Sequence, residues 1–341
     1  MLYDVCNLYT NVHDKENVYL YGDSILIVRA NIYGYDSSQY AYSLYHLSKF
    51  AGAFDEYEKA IEYLQRSADV YKHVKGGDAD YIAVVSEQVK YHQRAGNYAK
   101  AYEICNNLLP LIRQQQGEGK EYAFILNEMA ICDFYLDNLD KAVELGKQAY
   151  LIRSKLMGEE SKAAIADLNN IATYYSEQGK SKEALGIYEK VIELSRKTNG
   201  KDSEEYAIHI SNAADCYSDL GNFSKAIKLN KEALEIVEKK GSPIAHARLL
   251  YRMSIIMEDI GDYQTALSYA EWSDNLNEQY LSKEHPDYLT GKQRIADIYC
   301  KLGGYQKAFE LDSMLLENVK CLYGERHSLY ADLMNSLSIV Y

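Results

Sequence analysis

"ADLNNIATYYSEQGKSKEAL", residues 166–185, sets three small residues, Ala172, Gly179 and Ala184, among bulky ones. The pattern returns as "SNAADCYSDLGNFSKAI" at 211–227 and as "QRIADIYCKLGGYQKAF" at 293–309. A repeat of this kind decides the fold, so its period is measured first. The Gly or Asp that precedes the x-Y-x-K-A segment falls at Asp55, Gly96, Asp137, Gly179, Gly221, Gly261 and Gly303, at intervals of 41, 41, 42, 42, 40 and 42 residues. Five residues beyond each of these anchors stands an alanine: Ala60, Ala101, Ala142, Ala184, Ala226, Ala266 and Ala308.

A second ruler is set by Gly34, Gly76, Gly117, Gly158, Gly200, Gly241 and Gly324, with Ser282 in the remaining place. Each precedes, by five or six residues, a recurring position held by Tyr40, Tyr81, Tyr122, Ala164, Tyr206, His246, Tyr288 and Tyr330. A Gly that closes an apolar-periodic run and is followed by a polar stretch ends one helix before the next begins. Each unit is therefore two helices. Ile165, Leu168, Ile171, Ala172 and Tyr175 recur at helical steps on the first, and Ala184, Ile187, Val191 and Leu194 on the second. Ala172 and Ala184 are expected where two helices cross closely, with Gly179 at the turn between them. The rulers predict sixteen to seventeen helices, no sheet, and burial of every alanine in the series.

Composition agrees. Of 341 residues 47% are hydrophobic, and only Pro110, Pro243 and Pro286 interrupt the helical pattern. No apolar run reaches the length of a membrane span, and "MLYDVCNLYTNVHD" has no leader pattern. The net charge of −13 repels phosphate backbones, so direct nucleic-acid binding is not expected. Cys6, Cys105, Cys132, Cys216, Cys300 and Cys321 have no metal-ligand spacing and read as reduced core residues, which leans toward a cytoplasmic, reducing compartment.

At Leu168, Ile171, Ala172, Tyr175, Gly179 and Ala184, and again at Ile210, Ala213, Ala214, Tyr217, Gly221, Phe223 and Ala226, the chain resembles the tetratricopeptide repeat family. Units of 40 to 42 residues, with the "LNNIA" of 168–172 and the "HPDY" of 285–288, are similar to the long-unit subclass typified by kinesin light chains. The resemblance implies an all-α, right-handed superhelical solenoid of antiparallel helix pairs. Residues 1–341 then form a single solenoid: 1–39 a degenerate leading unit with Tyr19 in place of the alanine, 40–329 seven helix-pair units, and 330–341 the first helix of an incomplete further unit. The end at 341 suggests a fragment of a longer protein, with self-association through the C-terminal helix as one way to cover it. Pro110, inside a second helix, is expected to kink or shorten it.

Tempting chemical motifs have plainer readings. "GEGKE" at 117–121 and "GKS" at 179–181 lack the glycine spacing and preceding strand of a phosphate loop, and the sequon at Asn222 lies in a repeat turn. The histidines form no zinc or nucleophile pattern, so no metal, cofactor or catalytic residue is assigned. Of the 34 tyrosines, fourteen recur at packing positions of the repeat, among them Tyr57, Tyr98, Tyr263 and Tyr305 just after the turn.

The resemblance implies a concave wall of first helices that binds a protein or peptide partner. Its exposed positions lie thirteen, ten, nine, six and three residues before each anchor. On or beside that wall the candidates are Tyr45, Lys49, Lys90, Arg94, Phe124, Asn127, Ile131, Phe134, Asn169, Asn170 and Asn212. Phe124, Ile131 and Phe134 form either an exposed apolar patch or a contact with a neighbouring second helix or the inner wall of a tight superhelix. Asn170 and Asn212 resemble the family's backbone-gripping asparagines. Charge is expected to change along the wall, from Lys49, Lys90 and Arg94 to Asp215, Asp219, Glu258, Asp259 and Asp297, with Arg248, Arg252 and Arg294 interrupting. The function expected is a noncatalytic interaction scaffold, or alternatively the sensory module of a larger regulatory protein.

Overall fold

The computed structural model describes residues 2–283, 285–323 and 328–340. Among them are seventeen α-helices and no strand. Gly324, used in the second ruler, and Tyr341 lie outside the described residues, as do the side chains of Ile339 and Val340. The chain divides into two compact units, Met1–Tyr174 and Tyr175–Tyr341.

The first unit carries α1 (Leu2–Asn11), α2 (Lys15–Tyr33), α3 (Ser38–Ala53), α4 (Tyr57–Tyr71), α5 (Asp78–Arg94), α6 (Tyr98–Gln116), α7 (Lys120–Tyr135) and α8 (Leu139–Met157). Helix α9 (Lys162–Glu177) runs across the division. The second unit holds α10 (Ser181–Thr198), α11 (Glu204–Asp219), α12 (Phe223–Lys240), α13 (Pro243–Asp259), α14 (Tyr263–Tyr280), α15 (Pro286–Lys301), α16 (Tyr305–Tyr323) and α17 (Ser328–Val340). Within each unit every helix packs on the next, while α1 with α3, α5 with α7, α11 with α13, α13 with α15 and α15 with α17 also meet. Those extra contacts all join first helices of successive pairs, the wall of an α-solenoid within each unit.

The turns explain the rulers. All seven anchors have positive φ, from 57° at Asp55 and 61° at Asp137 to 81° at Gly261. Each turn returns two backbone N–H groups to the helix it ends, as in Gly221 N to Ser218 O at 2.8 Å and Asn222 N to Tyr217 O at 2.7 Å. These bonds occupy carbonyls that the helix end leaves unpaired. Asp55 and Asp137 adopt a conformation that costs other residues more, because a short polar side chain tolerates it. His13, at φ 55°, makes the same turn in the leading unit. The alanine equivalent there is consequently Val18, fully buried, and not Tyr19, which is half-buried and hydrogen-bonds Glu56.

All seven alanines of the series are completely buried. Four cysteines are buried as expected, but Cys300 is half-buried and Cys321 is exposed, as is Tyr305 among the tyrosines. Pro110 does not shorten α6, which runs 19 residues through it. It lies on the exposed side of that helix, where water can take up the carbonyl that its ring leaves unpaired.

Buried polar groups tie neighbouring helices. Arg153 on α8 contacts Asp167 on α9 at 2.5 Å, and both are buried. Burial pushes the Asp167 carboxyl up to about 7, with Arg153 opposing the shift. In the second unit Asn230 of α12 accepts from Ser211 Oγ at 2.8 Å and donates to Leu249 O at 3.0 Å. Nine residues after its anchor, as Asn230 is after Gly221, stands Asp312 on α16. It is fully buried, neither carboxyl oxygen has a hydrogen-bond partner, and burial pushes its carboxyl up to about 6, with Asp297 adding to the shift. In α17 Leu333 is buried and Met334 is exposed. No helix among the described residues is long and apolar enough to cross a membrane.

Candidate interaction surface

In the first unit the wall of α3, α5, α7 and α9 is largely self-occupied. Lys49 Nζ lies 4.4 Å from the Tyr45 ring centroid, and Lys90 pairs with Glu87 at 2.9 Å while its Nζ sits 5.4 Å from the Phe124 ring. The Arg94 guanidinium lies 5.8 Å from the ring of Tyr91 on its own helix. Phe134 packs on Tyr174 with centroids 5.2 Å apart. Phe124, Ile131 and Phe134 are each half-buried, so they do not form an exposed patch, and neighbouring first helices supply Lys90 and Tyr174 against the two phenylalanines. Asn127 is buried and accepts from Asn170 Nδ2 at 3.2 Å, which makes this pair of amides a tie between α7 and α9. Asn169 is half-buried, its carbonyl taking the Thr173 hydroxyl at 3.1 Å.

The second unit is open at the same register. A recess of about 540 Å³ is walled by Ile208, Ser211, Asn212 and Asp215 of α11 and by Arg248, Tyr251, Arg252 and Ile255 of α13. These are the residues thirteen, ten, nine and six before Gly221 and before Gly261. Helix α15 closes one side with Asp287 and Thr290, and Val237, Ser273 and Asn277 form the floor. The spacing thus located the wall, but of these residues only Asn212 was singled out as a contact. The sequence places Arg248 and Arg252 on the wall only as interruptions of its charge, and it leaves Tyr251 unmarked, because the amide resemblance favours asparagines over the register itself.

Charges in this recess are paired. Arg252 Nη1 donates to Asn212 Oδ1 at 2.8 Å and to Asp215 Oδ2 at 2.5 Å, and Arg248 Nε meets Asp287 Oδ2 at 2.8 Å. Beyond it Arg294 contacts Glu258 at 2.5 Å and donates from Nε to Ser254 Oγ at 3.2 Å. The arginines therefore do not interrupt an acidic surface; each neutralises an acid on a neighbouring first helix. Burial pushes the Asp215 carboxyl up to about 6 against the pull of Arg252, with Asp219 and Asp259 adding to the rise. The side chain is ringed by protein yet keeps 44% of its surface in contact with the open recess, so solvent screens this pair in part. Tyr251 is likewise raised, chiefly by burial.

Among the described residues no three His, Cys, Asp or Glu side chains are placed to hold a metal ion. A recess within the usual volume of ligand sites, with apolar walls and a few fixed polar groups, suits binding.

The tetratricopeptide repeat profile matches residues 81–155 and 162–239. Over 148 residues the chain is 24% identical to an Arabidopsis thaliana protein named Kinesin Light Chain-Related 2, covering 43% of this chain and 22% of that protein. The matched stretch is thus less than a quarter of that relative's length. A crystal structure of BtubC (BKLC) from P. vanneervenii superposes with a TM-score of 0.55 at 19% identity, covering 65% of this chain and 91% of the other. A Rap protein complexed with Competence and Sporulation Factor superposes with a TM-score of 0.62 at 12% identity, covering 99% and 96%. At these identities the two structures establish the fold.

Proposed function

From a chain of tetratricopeptide repeats with kinesin-light-chain-like units, a scaffold for protein–protein interaction, we propose noncatalytic binding of an extended peptide or partner helix on the concave wall of its first helices. The recess between α11, α13 and α15 carries this reading, because the same register positions of two successive first helices border it. Tyr251 and Ile255 offer apolar contact, Asn212 offers a hydrogen bond to a backbone, and Arg248 and Arg252 orient a polar group. The candidates of the first unit, Tyr45, Lys49, Lys90 and Arg94, are assigned a peripheral part.

The test is a display library of random peptides selected on the intact chain, then measured against a Tyr251→Ala/Ile255→Glu variant. Selected peptides are expected to lose at least about tenfold in affinity, the equivalent of one good contact. Peptides that bind the variant equally well would place the site elsewhere. A second reading, a sensory module whose wall detects a signal peptide for a regulatory protein, takes its motive from the Rap protein solved with its bound factor.

A further inference from the structure

Helix α2 differs from the other second helices. Its inner face, Val18, Gly22, Ile25, Leu26 and Ala30, is buried, yet Leu20, Ile27, Val28, Ile32 and Tyr33 on the same helix are 45 to 64% exposed. Among the described side chains α4, α6, α10 and α12 expose no large apolar one, and α8, α14 and α16 expose two or three each, against five on α2. A helix that is apolar on both sides belongs in an interior, so its outer face calls for a cover.

The order of residues on that face says what the cover is. Leu20, Ser24, Ile27, Val28, Asn31 and Tyr35, the last just past the helix end, read apolar, polar, apolar, apolar, polar, apolar from either direction. Leu20 and Ile27, and Ser24 and Asn31, are each seven apart, the spacing that holds a stripe in line along a two-helix seam, and Tyr35, past the turn that Gly34 makes at φ 86°, extends the stripe beyond the helix end. A stripe symmetric about the point between Ile27 and Val28 is complementary to an antiparallel copy of itself, which is the requirement of a two-fold interface.

We propose that two copies of this chain associate through α2, antiparallel, with the two-fold axis beside Ile27 and Val28. Leu20 of one copy then meets Tyr35 of the other, Ser24 meets Asn31, and Ile27 meets Val28. None of the six is charged, so no charge is set against its own copy across the axis. The exposed apolar side chains contribute roughly 500 Å² per copy before the polar residues between them are added, within reach of the ~800 Å² per partner of a standard interface. Tyr35 and Ile27 also border a recess of about 420 Å³ that Tyr40 and Tyr63 line together with the charged Asp23, Lys59, Glu62 and Arg66, and Leu20 of the other copy comes to lie at its apolar edge.

Sedimentation velocity on the intact chain in the micromolar range is expected to show a dimer, and Ile27→Lys/Val28→Lys a monomer of unchanged helicity and melting, since both side chains are exposed. A chain carrying Ser24→Cys and Asn31→Cys, with the exposed Cys321 replaced by Ser, is expected to form a covalent dimer without reductant. Seven residues along one helix separate the two thiols by about 10 Å, beyond the ~7 Å that a disulfide spans, so any bridge must join two copies. A monomeric native chain, a dimer that survives the lysine substitutions, or a dimer that does not cross-link at 24 and 31 overturns the proposal.

Discussion

The first helices of the two compact units place side chains at the same steps before the turn, and the outcome differs. In the first unit Phe124, Asn127 and Phe134 are consumed by Lys90, Asn170 and Tyr174. In the second, Ile208, Asn212, Tyr251 and Arg252 border an open recess at the corresponding steps. The backbone period decides where a wall residue stands. Whether it is available to a partner depends on what the adjacent repeat offers it. Aromatic and amide neighbours close the wall, while arginine–acid pairs line it and leave room.

The largest expected effect sharpens the contrast between buried and open ion pairs. Arg153→Ala strands Asp167 in the core of the first unit and should cost about 3–5 kcal/mol in denaturant unfolding at neutral pH. Because the folded-state pKa of Asp167 is already raised, to about 7, the loss should shrink as pH falls and the carboxyl takes up a proton.

Next in size is Ala226→Leu, which forces a larger side chain into a fully buried crossing and should cost about 1–3 kcal/mol. Ala101→Leu should cost a similar amount in the other unit, since both belong to the shared period. A large disparity in melting between the two variants would break the view that the backbone repeat is common and only the wall differs.

A smaller effect, and a gain, is expected of Asp312→Asn. It installs the amide that works at Asn230 and removes an unpartnered buried carboxylate, for about 1 kcal/mol of added stability near neutral pH. With the folded pKa of Asp312 raised to about 6, the native chain gains stability as pH falls through that value toward the unfolded one. The advantage of the variant should fade over the same window in parallel acid titrations.

The smallest change in stability is expected of Arg252→Ala, about 0–1 kcal/mol, because its pair with Asp215 is partly exposed and screened. Thermal melts of this variant beside Arg153→Ala test whether the recess is decoration on the solenoid or part of its core.

The fold was legible because two backbone demands recur in sequence: a residue that tolerates positive φ, and an alanine at a close crossing. His13 hid the first turn, since histidine does not advertise that conformation, and the leading unit was read one residue late at Tyr19. The wall positions were legible by counting, but not their availability. Contact of Phe124 with Lys90 and pairing of Arg252 with Asp215 depend on side chains 34 and 37 residues away, whose mutual reach is not encoded in spacing.

One side chain position carries a direction. Nine residues before the turn, Asn170 bonds Asn127, Arg252 bonds Asn212 and Asp215, and Arg294 bonds Ser254 and contacts Glu258. In each case the donor belongs to the later repeat and the acceptor to the earlier one, like shingles laid from one eave. A ribosome delivers the chain in that same order, so every such arginine or asparagine emerges onto a docking point already synthesised. Growth of the solenoid from its N-terminal side then leaves these acceptors at the advancing edge, where water solvates a carboxylate or a carbonyl until its fastener arrives, while Arg248 and Ser218 run the other way, as donors that wait for Asp287 and Asp259 of the next repeat.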